Sequence, residues 1–127
     1  MITSIKRNDC GVCALANLKD ISYPKALARL HPNWKRKRSF GTTTWQMKVG
    51  TRSHIKAKLI LVRSKDWHDI PDKSIVKVIP SVCEGTRNWH WVVWRDGMIW
   101  DSVHTVPVTP DQYTHDPVSY LGRPPRK

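Results

Sequence analysis

The chain has 127 residues, of which 39% are hydrophobic, and its formal net charge is +12. This length and composition fit a single domain, 1–127, with its own hydrophobic core, and they exclude a disordered polymer. No apolar run reaches the roughly 18 residues of a membrane span, and the first residues lack the apolar stretch of a signal peptide. We therefore expect a cytoplasmic protein without a membrane span.

The positive charge is densest in the run Lys35–Arg38. An excess of this size predicts an acidic partner, either a protein or a nucleic acid, although it can also serve solubility alone. Nucleic acid is the less favoured partner. The tryptophans that would stack on bases concentrate in an apolar segment, 89–100, and Trp34 alone lies beside the basic run.

Three helices are predicted in the first half of the chain, each next to residues that start or stop helices. Asp9 is a good N-cap residue, and Pro24 fits the first turn of a helix, where its missing N–H is not needed. The predicted helices cover residues 10–19, 23–30 and 43–50.

The second half of the chain predicts strands. Its segments are short and rich in branched or aromatic residues, and two of them flank Asp96-Gly97, a strong hairpin signal. The predicted strands cover residues 56–63, 73–79, 90–95 and 98–101. The basic tail, 105–127, is rich in proline and is predicted to be irregular. Helices followed by strands indicate an α+β domain in which N-terminal helices pack on an antiparallel sheet.

Cys10 lies at the start of the first predicted helix and is the candidate nucleophile. The positive end of the helix dipole favours the thiolate form of a cysteine. The free N–H groups there can also bind the oxyanion that forms when a thiolate attacks a carbonyl carbon. Gly11 leaves room for a substrate backbone, and Cys13, one turn later, is expected to lie in the core or to line the pocket.

The register of the predicted hairpin places a base and a carboxylate on one face of the sheet. With a two-residue turn at Asp96-Gly97, His90 becomes the diagonal neighbour of Asp101. The carboxylate can then accept a hydrogen bond from one ring nitrogen and leave the other facing a thiol. His104 alternates to the opposite face, so it ranks far below His90 as a base.

Three segments of the chain resemble the bacteriocin-leader-processing cysteine peptidases, a branch of the papain-like superfamily. The run 8–16 (NDCGVCALA) resembles their nucleophile motif, and 90–102 (HWVVWRDGMIWDS) resembles their histidine and aspartate segments. Residues 41–57 resemble the second helical region and the strand after it. The similarity spans roughly residues 4–103. These peptidases are commonly attached to a transporter, which this chain is too short to include, so a double-glycine leader substrate is not predicted.

The resemblance implies a papain-like fold and peptide-bond cleavage by Cys10, His90 and Asp101, which occur here in the family's order. These enzymes usually carry a glutamine about six residues before the cysteine, which helps to form the oxyanion hole. Ser4 occupies that position, and Asn8 is the nearest side-chain amide. Ser4 and Asn8 are therefore the candidate oxyanion residues. Loss of one oxyanion donor typically costs about 100- to 1,000-fold in rate.

Two other interpretations of the cysteines stay open. Cys10 and Cys13 form a CxxC pair, although thioredoxin-like proteins place this pair after a strand of a βαβ unit. Zinc could be bound by Cys10, Cys13, Cys83 and His90, where the first pair has suitable spacing and the second is looser.

The tryptophans and the remaining histidines carry weaker signals. Core packing on both faces of a sheet is expected for the tryptophans of the hairpin, with one or two lining a substrate groove as the alternative: these are Trp89, Trp91, Trp94 and Trp100. The scattered histidines are expected at the surface: these are His31, His54, His68, His104 and His115.

The predicted function is that of a cysteine peptidase, or a related thiol hydrolase, that cleaves a peptide or amide bond through an acyl-enzyme. This chemistry uses no cofactor and no metal ion, and the substrate is a peptide or protein, for which acidic sequences are candidates. The alternative is a catalytically weak or inactive papain-like scaffold that acts as a basic binding or inhibitor protein for an acidic partner or nucleic acid.

Overall fold

A computed structural model describes residues 1–5, 8–53, 56–79 and 89–122. Within these ranges the chain is α+β, with three α-helices followed by a five-stranded antiparallel sheet. The helices are α1 (Cys10–Lys19), α2 (Tyr23–Leu30) and α3 (Thr44–Gly50). The strands are β1 (Lys58–Leu61), β2 (Ser74–Val78), β3 (His90–Arg95), β4 (Met98–Trp100) and β5 (Pro117–Gly122). Cys83, His54 and the end of the tail, 123–127, lie outside the described residues.

The three helices begin and end close to the predicted positions. Ser22 caps α2 by accepting a hydrogen bond from the Lys25 N–H. Thr43 and Gln46 form a reciprocal capping box at the start of α3. Such local signals act within one helical turn, which is why the sequence predicts these helices well.

Asp9 lies at the N-cap position of α1, but its carboxylate does not cap the helix. It accepts hydrogen bonds from Ser4 Oγ at 2.6 Å, from the Ile5 N–H at 2.8 Å and from Tyr23 Oη at 2.7 Å. The prediction that Asp9 acts as an N-cap side chain was therefore wrong. Asp9 is buried, and it ties the N-terminal segment and α2 to the start of α1.

The hairpin register that the sequence predicted is confirmed. Asp96 and Gly97 have φ values of 55° and 71°, which is the left-handed pair that a type I′ turn requires. Arg95 pairs with Met98, and the pairing continues inward to Val93 and Trp100. Side chains alternate between faces along both strands, so the register decides which residues meet beyond the paired region.

The tail is not irregular, and the prediction for 105–127 was wrong in this respect. Its strand β5 lies between β1 and β2 in the sheet order β1-β5-β2-β3-β4. Leu121 pairs with Leu59 of β1, and Tyr120 pairs with Val76 of β2. Pro117 is the first residue of β5, a position at which a strand tolerates a residue without an N–H.

The sheet separates two hydrophobic clusters. Trp91 and Val93 of β3 face the helices and pack with residues of α1 and α2. Val92 and Trp94 face the other way and pack against Trp67 and its neighbours. The expectation that the hairpin tryptophans fill the core on both faces is confirmed for Trp91 and Trp94, which are 1% and 4% exposed.

Candidate active site

The start of β3 and the residue after β4 lie side by side at one end of the sheet. His90 Nε2 is 2.6 Å from Asp101 Oδ1, as expected for diagonal neighbours on one face. The Asp101 carboxylate is buried, and its Oδ1 also accepts a hydrogen bond from the Val103 N–H at 3.1 Å. Because Nε2 faces Asp101, Nδ1 is the ring nitrogen left for another partner.

Cys10 is the candidate for that partner. It is the first residue of α1, it is half-buried, and it lines the same cleft as His90, near enough to influence the charge of the ring. The N-terminal end of α1 therefore meets the N-terminal end of β3, although the two residues lie 80 positions apart in the sequence. The structure thus brings the three predicted catalytic residues, Cys10, His90 and Asp101, into one set at this end of the sheet.

The charges of this set are shifted by their surroundings. Burial opposes a charged ring at His90, but the hydrogen bond to Asp101 and the proximity of Cys10 outweigh it and raise the pKa of His90 to about 10. Burial likewise opposes a charged Asp101, yet the hydrogen bond from His90 holds the pKa of this carboxyl below its usual value. At neutral pH the site therefore contains an imidazolium against a carboxylate.

The set opens onto a cleft of about 480 Å³. One wall is formed by the start of α1 and the loop before α3, and the other by the start of β3 and the segment after β4. The lining residues include Ser4, Asn8, Cys10, Thr42, Thr43, Trp89, His90 and Val103. Trp89 thus lines the cleft, which is the alternative that the sequence left open for one or two tryptophans.

Thr42 fixes the loop wall of the cleft against both halves of the molecule. Its carbonyl oxygen accepts a hydrogen bond from Trp91 Nε1 at 2.9 Å. On the other side it packs directly on Gly11, where an added Cβ would lie 2.5 Å from Thr42 Cβ. Gly11 is therefore required for the close approach of this loop to α1.

The two candidate oxyanion residues both line the cleft, but they differ in their bonds. Ser4 Oγ donates to Asp9 Oδ1 at 2.6 Å, and a hydroxyl has only one hydrogen to donate. Asn8 Nδ2 donates to Ser39 Oγ at 2.8 Å, and an amide nitrogen has a second hydrogen. Asn8 is thus better suited than Ser4 to donate a hydrogen bond into the cleft.

Tyr113 is a member of this site that the sequence did not indicate. Its hydroxyl donates to Asp101 Oδ2 at 2.6 Å. Burial raises the pKa of the Tyr113 hydroxyl, and the adjacent Asp101 charge raises it further, so the hydroxyl stays a donor. Tyr113 lies in the tail that the sequence predicted to be irregular, and no local motif marks it.

Cys13 faces away from this chemistry. It is fully buried in the helix-side core, and burial raises the pKa of its thiol.

The redox interpretation of the CxxC pair lacks its structural context, because α1 is the first element of the described chain and no strand precedes it there. The zinc interpretation depends on Cys83, which lies outside the described residues. Among the residues that are described, no cluster of three or more metal-ligating side chains occurs.

His31 is buried, so the expectation of a surface position was wrong for this residue. Its Nε2 is 3.3 Å from Thr42 Oγ1, and its Nδ1 is 2.8 Å from Lys37 Nζ. These polar partners let the ring enter the core. Burial, together with the Lys37 charge, lowers the pKa of His31. One lysine of the basic run 35–38 therefore supports the loop that carries Thr42.

Comparison of the chain with known protein families, with curated proteins and with solved structures found no match. The α+β architecture follows from the structure itself, and the papain-like fold stays a prediction. Within the described ranges, no helix combines the length and the apolar character needed to cross a membrane.

Proposed function

We propose that this protein is a papain-like thiol hydrolase that cleaves a peptide bond, or a related amide or thioester bond, through an acyl-enzyme on Cys10. The observation that carries the proposal is the grouping of the three side chains at the wall of a cleft. Cys10 and His90 line the same cleft, and His90 Nε2 lies 2.6 Å from Asp101 Oδ1. A thiol, an imidazole and a carboxylate in this order form the arrangement that activates a cysteine nucleophile.

In the proposed reaction, the Cys10 thiolate attacks the carbonyl carbon of the substrate and forms an S–C bond. The oxyanion accepts hydrogen bonds from backbone N–H groups in the first turn of α1, which have no partner inside the helix. The C–N bond then breaks while His90 gives its proton to the leaving nitrogen. Water attacks the thioester carbon and His90 takes its proton, and the S–C bond breaks to release the acid.

The rate of alkylation by iodoacetamide, measured against pH, tests the nucleophile directly. We expect Cys10 to react at pH 6, since the His90 imidazolium beside it, with its pKa of about 10, stabilises a thiolate. Mass spectrometry of the digested protein assigns the modified cysteine. In His90→Ala, we expect the rate at pH 6 to fall at least about 10-fold.

Cys13 is the internal control for this measurement, because it is fully buried and its thiol has a raised pKa. It should stay unmodified while the protein is folded. The hydrolase proposal fails if no cysteine reacts below pH 8, or if His90→Ala leaves the profile unchanged. Acylation of Cys10 by a p-nitrophenyl ester, seen as a burst of p-nitrophenol and a matching mass increase, would then extend the test from reactivity to acyl transfer.

A second candidate function is a catalytically weak or inactive scaffold that binds an acidic partner. Two observations favour it: Ser4 replaces the glutamine of the peptidases that the chain resembles, with its hydroxyl already donated to Asp9, and the net charge is +12. Salt-dependent binding to nucleic acid or polyglutamate, together with absence of Cys10 acylation, is the result that favours this function over hydrolysis.

A further inference from the structure

Both oxygens of the Asp101 carboxylate are assigned to specific partners. Oδ1 faces His90 Nε2 and the Val103 N–H, at 2.6 and 3.1 Å. Oδ2 accepts the hydroxyl of Tyr113 at 2.6 Å. The χ2 torsion of an aspartate is broad, so the side chain alone does not fix the plane of its carboxylate. The Tyr113 hydroxyl supplies this constraint by holding the second oxygen while the first faces His90.

Tyr113 is itself firmly placed. It follows the 3₁₀ turn Pro110–Gln112, in which Thr109 and Gln112 form a capping box. Its ring packs edge-on against Trp67 and His115, with centroid distances of 5.7 and 5.3 Å.

The chain leading to this turn is anchored as well. Val108 forms a two-way backbone bridge with Ile99 of β4, with N–O distances of 2.7 and 3.0 Å. Residues 108–113 are thereby held beside the strand that precedes Asp101. A rigid ring on an anchored turn presents the hydroxyl to Oδ2 without further ordering, as a positioning group must.

We infer that Tyr113 is a positioning residue of the candidate active site, whose hydroxyl fixes the plane of the Asp101 carboxylate so that one of its oxygens points at His90. Without the hydroxyl, Oδ2 becomes a buried acceptor that has lost its partner, and the carboxylate gains from rotating toward any other donor. The His90 ring then loses part of its orientation. The catalytic consequence rests on the proposed function, whereas the effect on the titration of His90 does not.

The test is the substitution Tyr113→Phe, which keeps the ring and its packing but removes the hydroxyl. NMR titration of the His90 ring nitrogens should show its pKa lowered from about 10 by roughly one unit or more, because a carboxylate that turns away weakens the charged hydrogen bond between Asp101 and His90. The rate of Cys10 acylation by a p-nitrophenyl ester should fall about 10-fold or more, because one pKa unit and a tenfold change in rate correspond to the same free-energy difference.

Tyr120→Phe is the matched control, because Tyr120 packs against the same hydrophobic cluster but is not among the described partners of Asp101. It should leave the His90 titration unchanged. If the His90 midpoint in Tyr113→Phe stays at or rises above its wild-type value, the carboxylate has kept its orientation without the hydroxyl, and the inference is overturned. If wild-type Cys10 fails to react, the hydrolase proposal fails, but the His90 titration still decides the role of Tyr113.

Discussion

Asn8 and Ser4 both precede α1 in the chain, and both line the cleft. Asn8 has φ = 58°, a left-handed conformation that asparagine adopts more readily than most residues. This conformation ends the N-terminal segment and points the chain into the helix that carries Cys10. With the Ser4 hydroxyl donated to Asp9, we propose Asn8 as the side-chain donor that assists the backbone N–H groups at the oxyanion.

The substitution Asn8→Gly tests this role, because glycine accepts a positive φ and so removes only the amide. We expect acylation by a p-nitrophenyl ester to fall about 100-fold. Alkylation by iodoacetamide should be little changed, since displacement of iodide forms no oxyanion. Ser39→Ala, which removes the partner of Asn8 but keeps its amide, is the control. Equal losses in both reactions of Asn8→Gly would show a disturbed Cys10 instead.

The hairpin β3–β4 is the element that sets the geometry of the base. Its paired region runs from Val93 to Trp100. Asp101 directly follows Trp100, and His90 lies three residues before Val93. A slip of one residue would place the two side chains on opposite faces of the sheet. The turn at Asp96-Gly97 therefore determines whether the imidazole meets the carboxylate.

Gly97→Ala should lower the free energy of unfolding by about 1 kcal/mol, because φ = 71° places a Cβ in a strained conformation. Nothing beyond the neighbouring residues lies within 4 Å of the added Cβ, so contacts with the rest of the protein contribute nothing to this cost. Gly41→Ala is the control: its Cβ also meets nothing within 4 Å, and its φ is not left-handed. Urea unfolding measures both variants, and equal stabilities would contradict the assigned turn.

The C-terminal segment joins the parts of the sheet and contributes a residue to the candidate site. Strand β5 lies between β1 and β2, and the segment before it supplies Tyr113 to Asp101. The site is therefore assembled from the N-terminal helix, the hairpin and the tail. Its ionised pair also links proton binding to the stability of the entire fold.

Stability should fall as the pH rises from about 6.5 to 10. The pKa of His90 is raised from 6.5 to about 10 in the folded protein, so the folded state binds more protons than the unfolded state within this window. The contribution is fully present below pH 6.5 and is lost as the pH passes through about 10. Its size is on the order of a few kcal/mol.

The Asp101 carboxyl has the opposite effect on the pH dependence of stability. Its pKa is lowered from 3.8, so its contribution is present above pH 3.8 and is lost as the pH falls through the folded-state value.

Melting temperatures of wild type and His90→Gln, measured from pH 5 to pH 10, separate the His90 contribution from the general effect of net charge. A parallel pH dependence in the two proteins would rule out the His90 contribution.

Local patterns in the sequence predicted much of the site. Capping residues and prolines act within a turn or two, so the bounds of the helices could be predicted. The Asp96-Gly97 turn and the two-residue period of strands predicted that His90 and Asp101 share a face. Each of these depends on residues no more than about a dozen positions apart, where backbone geometry alone fixes the relation.

Contacts between distant segments were decided only by the tertiary structure. The insertion of β5 between β1 and β2, the Tyr113 hydroxyl on Asp101 and the burial of His31 all join parts of the chain that carry no mutual local signal. Asp9 is the clearest case, since its capping pattern was present but its carboxylate bonds to Ser4, Ile5 and Tyr23 instead. A buried carboxylate takes the donors that the packed fold places around it, and that arrangement exists only once the helices, sheet and tail have come together.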